Sequence, residues 1–265
     1  MPKRRLDLLL EERGLCRSRS QAQGEIRAGN VLVDGVPIDK PGTLVPEDAE
    51  IELRTGPRYV GRGGLKLEWA LRAFRIDVRG RTAIDIGAST GGFTDCLLQH
   101  GAKKVWAVDV GYGQLDWKLR QDERVVLLER VNARYLRVED IGERVDLATV
   151  DVSFISLKKI LPPLLAIVKE GGALLPLVKP QFEAGRAKVR RGVVRDPGVH
   201  LEVLEDLGRF VREELKVSIL GATFSPIKGP AGNIEFFFHL RNAPGGSRPV
   251  DLARVVQEAH ALFSG

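Results

Sequence analysis

The chain has 265 residues, 43% of them hydrophobic, enough for one large domain or for a domain with a small appendage. Its 41 basic and 35 acidic residues leave a net charge of +6, a modest excess whose placement matters more than its size. Two cysteines (Cys16 and Cys96) exclude a disulfide framework, and four scattered histidines (His100, His200, His239, His260) show no zinc-ligand spacing. A reducing, cytoplasmic setting without a metal is therefore expected. Met1 to Arg5 lead into a segment studded with charge rather than an apolar signal-type run. The longest apolar region, Ile160 to Val178, is broken by Pro162, Pro163, Lys169, Glu170, Gly171 and Gly172. A membrane span needs about 20 apolar residues in a row, so a soluble, monomeric protein with no membrane contact is expected.

Residues 4–28 read as two short helices. Leu6, Leu9 and Leu10 fall on one face of the first, Gly14 stops it, and Ser18 or Ser20 can cap the second, 19-RSQAQGEIRAG-29. Asp34-Gly35 inside 30-NVLVDGVPIDK-40 signals a hairpin, and 49-AEIELR-54 a further strand. Residues 1–55 thus form a small α+β module. The first thirty residues carry seven basic side chains (Lys3, Arg4, Arg5, Arg13, Arg17, Arg19, Arg27) against four acidic ones. The strand half is acidic, so one side of the module is basic and not the whole. The glycines and proline of 55-TGPRYVGRGG-64 predict a linker over 56–64. Arg54, Arg58, Arg62 and Lys66 recur four apart and would form one ridge if this stretch were helical. Its glycines and Pro57 oppose that, and the linker is expected to reorder when substrate or cofactor binds.

Beyond the linker the remaining chain, 65–265, reads as a second domain. Residues 65–76 carry Leu65, Trp69 and Phe74 at near-helical spacing. Strand-like runs then follow at 81–86, 104–110, 125–129, 145–151 and 173–179, with helical stretches at 91–100, 114–120, 156–168 and 197–214. This alternation predicts an α/β fold with a parallel sheet covered on both faces. Two last strand runs, 216–225 and 234–240, have no helix between them and predict an antiparallel hairpin at one edge.

In such sheets ligands bind outside the carboxyl ends of the strands. There stands 85-DIGASTGGF-93, whose Gly87, Gly91 and Gly92 permit a tight turn and close ligand approach at a helix start. Asp109 follows Gly87 by about 20 residues, the interval at which an acidic side chain meets a ribose diol. An ordinary strand–helix turn with a capping aspartate is the plain alternative; the spacing favours a nucleotide. The strict GxGxxG of dinucleotide enzymes is absent, and the edge hairpin is more typical of methyltransferases than of dehydrogenases. S-adenosylmethionine therefore leads and NAD is second. Asp151 ends the fourth strand run and Glu235 opens the last, while Lys66 starts a helix after a glycine run. Taken singly, they read equally well as a cap, an ion-pair partner and a solvated cation. Lys179 is the odd one, an ammonium ending the most apolar run just before Pro180. Basic residues also cluster after it, at Arg186, Lys188, Arg190, Arg191 and Arg195, with a smaller pair at Arg130 and Arg134.

RGGLK (62–66), GASTGGFT (87–94), VDVGYGQL (108–115), ERVNAR (129–134), DVSFIS (151–156), LVKPQFE (177–183) and GNIEF (232–236) together resemble the TlyA family. These are bacterial ribosomal-RNA 2′-O-methyltransferases of FtsJ-like fold, often named haemolysins. The likeness spans nearly the whole chain, and its motifs run in the family's order. It implies a Rossmann-like class I methyltransferase sheet preceded by an RNA-binding domain like that of ribosomal protein S four. It implies a catalytic tetrad of Lys66, Asp151, Lys179 and Glu235. It places S-adenosyl-L-methionine on Gly87, Ala88, Ser89, Thr90, Gly91, Asp109, Asn132 and Phe154. Arg5, Arg17, Arg19, Lys40, Arg130 and Arg134 become expected RNA contacts, with a cytidine of ribosomal RNA in a ribosomal subunit as target. A non-catalytic RNA-binding assembly factor and a membrane-active haemolysin are the rival readings, and a NAD oxidoreductase is the weakest.

Overall fold

A computed structural model describes residues 2–53 and 58–264. Its N-terminal part contains β1 (Lys3–Arg5), α1 (Leu6–Glu12), α2 (Arg19–Ala28), β2 (Val31–Val33), β3 (Val36–Pro37), β4 (Leu44–Pro46) and β5 (Ile51–Leu53). Both expected helices form, and the Ser18 hydroxyl accepts from the Gln21 backbone N–H to cap the second. Asp34 and Gly35 both take positive φ (50° and 76°), as a two-residue turn of right-handed twist requires, and join β2 to β3. Leu6, Leu9, Leu10, Cys16, Ala22, Ile26, Val31, Val33 and Val45 close a separate small core. The strand pair β1–β4 has no signal in the sequence: Lys3, Arg4 and Arg5 are all exposed and only backbone pairing defines it.

A buried carboxylate organises the basic side of this part. Asp7 is wholly buried and accepts from Arg5 Nε and Nη2 at 3.0 Å, from Arg19 Nε at 2.9 Å and from Gln23 Nε2 at 2.9 Å. The guanidinium of Arg5 above all, with Gln23 and Arg19, holds the Asp7 carboxyl well below the usual carboxylate range, against the opposing effect of burial. Asp7→Ala should therefore cost about 2 kcal/mol, the scale of losing hydrogen bonds to charged groups. The depressed carboxyl contributes stability above the ordinary aspartate range near 4 and loses it as pH falls below. Urea unfolding should show the gap between variant and wild type in full at pH 7 and a smaller gap at pH 3, where the loss has begun. An equal gap at both would contradict this.

The rest of the chain comprises α3 (Gly63–Phe74), β6 (Thr82–Ile86), α4 (Gly92–Gln99), β7 (Lys104–Asp109), α5 (Trp117–Arg120), β8 (Val125–Glu129) and α6 (Val138–Ile141). It continues with β9 (Val145–Val150), α7 (Leu161–Ile167), β10 (Val168–Val178), α8 (Pro180–Glu183), α9 (Pro197–Glu213), β11 (Ser218–Phe224), β12 (Phe236–Arg241) and α10 (Leu252–Phe263). The sheet order is β11-β12-β10-β9-β6-β7-β8, parallel from β10 to β8, with β12 antiparallel to both β10 and β11. The expected α/β class and edge hairpin are both present.

Alternation of side chains builds two layers of core. Ile84, Ile86, Trp106, Val108, Ala148, Val150, Phe236 and Phe238 face one side, against Leu164, Leu204, Leu207 and Ala259 of α7, α9 and α10. Ala83, Val105, Ala107, Leu147, Leu175, Leu177 and Phe237 face the other, against Leu67, Leu71, Phe93 and Leu97 of α3 and α4. Three consecutive phenylalanines, each 0% exposed, thus serve both faces of one interior strand. The helix expected over 156–168 is split. A 3-10 turn at Leu157–Lys159 precedes α7, because Pro162 and Pro163 have no N–H to donate and fit only a helix's first turn.

Candidate active site

The strand register brings the expected residues to one edge. Val178 of β10 pairs with Phe236 of β12, so Lys179 and Glu235 stand on neighbouring strands at the same end. Pro176 pairs with Val150, which sets Asp151 beside them on β9. Ile86 pairs with both Val150 and Val108, which adds Gly87 and then Asp109. Glu235, Lys179, Asp151, Gly87 and Asp109 therefore follow one another along the carboxyl edge at strand spacings of about 4.8 Å. Strands after β6 are laid down first on one side of it (β7, β8) and then on the other (β9, β10), so the strand order reverses between β6 and β9, the switch point where a doubly wound sheet opens a crevice.

Four of the residues form two ion pairs. Lys66, near the start of α3, reaches the sheet edge and donates from Nζ to Glu235 Oε2 at 2.6 Å, with side chains only 8% and 1% exposed. Lys179 Nζ lies 2.6 Å from Asp151 Oδ1 and donates to Ser153 Oγ at 3.0 Å. The Lys179–Asp151 contact is electrostatic rather than an aligned hydrogen bond, since the buried Oδ1 has no donor directed at it. This pair is also more open than the first, at 11% and 20% exposed. The apolar strand that ends on an ammonium thus delivers it to a carboxylate on one side and a hydroxyl on the other. Ser153 was not singled out in the sequence; its place in DVSF beside Asp151 is the signal for it.

Behind this edge lies Asp85, fully buried in β6. It accepts from Thr94 Oγ1 at 2.8 Å and Thr149 Oγ1 at 3.1 Å. Burial pushes its carboxyl up to about 7, with the negative charge of Asp151 acting the same way and the two threonines opposing. Glu183 of the LVKPQFE motif also turns inward. It accepts from Ser156 Oγ at 2.6 Å and from the Leu157 N–H at 2.8 Å, and so pins the loop that follows Asp151. Burial raises its carboxyl.

The glycine loop meets the requirements of a close-packed ligand cradle. Gly87 has φ 84°, and a Cβ there would lie 2.5 Å from the Asp151 carbonyl oxygen, so no other residue fits. Gly91, at φ 98°, opens α4. Ser89 also holds a positive φ, 50°, and its N–H donates to Asp109 Oδ2 at 2.8 Å; the Gly111 N–H donates to Oδ1 at 2.7 Å. Asp109 is thus fixed by backbone alone and has no cationic side chain paired with it among the described residues. A carboxylate so held keeps lone pairs for the two hydroxyls of a ribose. Ala88 is buried, whereas Ser89 and Thr90 are exposed on the same turn.

Asn132 caps a 3-10 turn through its side-chain oxygen, which accepts from the Arg134 N–H at 3.1 Å. It lines a cavity of about 450 Å³ with Leu128, Arg130 and Tyr135. Phe154 is 91% exposed at φ 62°, an unfavourable conformation for a bulky residue, and its ring lies 5.0 Å from that of Phe182. A cavity of about 740 Å³ adjoins it, lined by Arg134, Ser156, Lys159 and Gln181 as well. Arg130 and Arg134 flank this edge, their guanidinium carbons 4.4 and 5.5 Å from the ring centres of Tyr112 and Tyr135.

The remaining expected RNA contacts lie apart from the edge, on the N-terminal part. Arg5 and Arg19 share Asp7, while Arg17 and Lys40 are exposed. The basic ridge does not form as drawn. Arg54 lies outside the described residues, and α3 begins only at Gly63. The other three positions each meet a carboxylate: Arg58 pairs with Glu68, Arg62 with Asp39 at 2.6 Å, and Lys66 with Glu235. No helix among the described residues is long and apolar enough to cross a membrane.

Comparison with known proteins agrees with this geometry. The FtsJ-like methyltransferase family matches residues 59–242 and the S4 domain matches residues 4–51. The chain is 49% identical over 240 residues to the 16S/23S rRNA (cytidine-2′-O)-methyltransferase TlyA of Mycobacterium tuberculosis, covering 89% of each. It is 42% identical over 239 residues to Hemolysin A of Brachyspira hyodysenteriae, covering 89% of this chain and 99% of the relative. A solved structure from Streptococcus thermophilus that also carries the hemolysin name superposes with a TM-score of 0.76 at 47% identity, covering 100% of this chain and 98% of the other. With a methyltransferase sheet, an S4 domain and relatives this similar along nearly its full length, the chain belongs to the TlyA family of FtsJ-like methyltransferases.

Proposed function

We propose that this methyltransferase modifies the ribose 2′-hydroxyl of a cytidine in ribosomal RNA, with S-adenosyl-L-methionine as donor. The observation that carries the reading is the row of Glu235, Lys179, Asp151, Gly87 and Asp109 along a single sheet edge, with Lys66 closing on Glu235. Gly87 to Gly91 would hold the methionine end of the cofactor, Asp109 its ribose diol, and Asn132 and Phe154 its adenosyl part. When bound, the cofactor supplies a methyl group already activated on a sulfonium.

The chain's own task is to place and activate the attacking oxygen. A ribose hydroxyl is too weak an acid to ionise alone at neutral pH. Lys179 Nζ is the group set beside it, able to stabilise negative charge on the oxygen or to take its proton. Asp151 and Ser153 hold that nitrogen from two sides, so it waits in position rather than sampling rotamers. Lys66 and Glu235, buried together, orient the ribose from the neighbouring strand. To present its sugar here the target nucleotide has to leave its stack. Arg5, Arg17, Arg19, Lys40, Arg130 and Arg134 would hold the flanking phosphates, since phosphate contacts supply most RNA affinity.

The test is a map of 2′-O-methylation on both ribosomal RNAs from cells with and without the protein. A cytidine whose ribose methylation disappears with the protein is expected, and should be restored in vitro by purified protein and labelled cofactor. Identical maps would overturn the reading.

A further inference from the structure

Of the cations that follow Lys179, Arg190, Arg191 and Arg195 line one cavity together. Arg195 sits between Val194 and Asp196, and the Val194 N–H donates to Asn233 Oδ1 at 3.0 Å. The Asn233 amide donates to the Gly192 carbonyl at 2.9 Å, and its own backbone carbonyl accepts from Gly229 at 2.9 Å. Asn233 is 1% exposed. It therefore staples two segments together: the basic loop carrying Arg190, Arg191 and Arg195, and the loop before β12 carrying Lys228.

Lys228 stands at the centre of this junction. Its Nζ lies 5.0 Å from the ring centre of Phe263 in α10. Its ammonium lies within electrostatic range of Lys40 from the S4 domain and of Arg195. Asp39 is the carboxylate at hand, and it is already bonded to Arg62 at 2.6 Å. Asp196 is engaged in capping α9, accepting from the Gly198 N–H at 2.8 Å. Burial and the positive charges of Lys40 and Arg195 lower the Lys228 ammonium. The cavity lined by Arg195 together with Arg190 and Arg191 has a volume of about 640 Å³, while Lys188 in its wall is paired to Glu202. Lys40, Lys228, Arg195, Arg190 and Arg191 thus form a band of cations, the loops of the last four joined by the buried Asn233 staple.

We propose that this band is a phosphate-binding seam that grips the backbone of the RNA substrate where the S4 domain meets the methyltransferase domain, with Lys228 and Arg195 as its central contacts. It rests on the reading of the substrate as RNA. The seam also touches the catalytic edge. Gly229, next to Lys228, packs so closely on the Glu235 carboxylate that a Cβ would not fit. A strand of RNA seated on Lys228 is therefore only one residue removed from the loop that walls Glu235.

Lys228→Gln and Arg195→Gln test it. Each should weaken binding to a ribosomal-RNA fragment several-fold, lower the slope of log affinity against log salt by about 1, and raise KM for RNA with kcat near wild type. The pair together should weaken binding roughly tenfold or more. Lys228→Arg should restore the wild-type slope, and calorimetric binding of S-adenosylmethionine should be unchanged throughout. Wild-type slopes and affinities in both glutamine variants would overturn the seam while leaving the methyltransferase reading in place. Failure of the wild-type chain to bind ribosomal RNA at all would overturn the RNA reading and the seam with it.

Discussion

Lys179→Ala is expected to lower methyl transfer by about 10²- to 10⁴-fold, the range for losing a general base or a donor to a developing oxyanion. S-adenosylmethionine binding should stay close to wild type in the same variant. The split follows from position. Lys179 ends β10, whereas the glycine loop and Asp109 follow β6 and β7, and the Asp109 carboxylate is held by the Ser89 and Gly111 N–H groups without help from the lysine. Removing the ammonium leaves Asp151 without its cation and Ser153 without its donor, but both sit at an edge open enough for water to replace it. Turnover assays with labelled cofactor, paired with calorimetry, read both halves. Turnover near wild type would show that another group activates the oxygen. Loss of cofactor binding in step with turnover would show that Lys179 supports the cradle instead.

The second large effect concerns stability. Glu235→Leu should destabilise the fold by about 3–5 kcal/mol, because it strands the Lys66 ammonium in a site where both side chains are under a tenth exposed. Replacing both partners, as Lys66→Met with Glu235→Leu, should recover much of that loss, since a buried ion pair against an apolar pair of similar size is close to neutral. The double variant should nonetheless stay inactive. Denaturant melts of wild type, both single variants and the double variant give the coupling directly. Additive losses in the double variant would mean that the two charges do not depend on each other in the folded protein.

The fold was legible in the sequence where periodicity and chain punctuation act locally. The alternation of apolar runs with helical stretches gave each strand of the large sheet, because a strand buried on both faces has to be apolar almost throughout. The expected acidic and basic residues also stand where strand ends put them. What remained hidden depends on partners distant in the chain. Lys66 and Glu235 are 169 residues apart, and nothing near either one announces the other. Arg5 and Arg19 read as free cations until the buried Asp7 is seen between them. Residues 169–172, charged and glycine-rich, read as the break before a strand. They belong to β10 because Gly171 and Gly172 exchange backbone hydrogen bonds of 2.8 Å with Asn242. The last helix, α10, could have been read: Val256 and Ala259 recur at helical spacing and are both buried.

The 169 residues between Lys66 and Glu235 also set an order of events during synthesis. The S4 part and the lysine leave the ribosome first. At translation rates of 5–20 residues per second, roughly 10–30 s pass before the glutamate emerges and the last interior strand, β12, can slide between β10 and β11. Through that interval the nascent chain already carries the arginines fanned around Asp7 but lacks Glu235 at the sheet edge. The whole S4 part is therefore made before the sheet edge can be completed, and methyl transfer has to wait for the final hairpin to lock into the sheet.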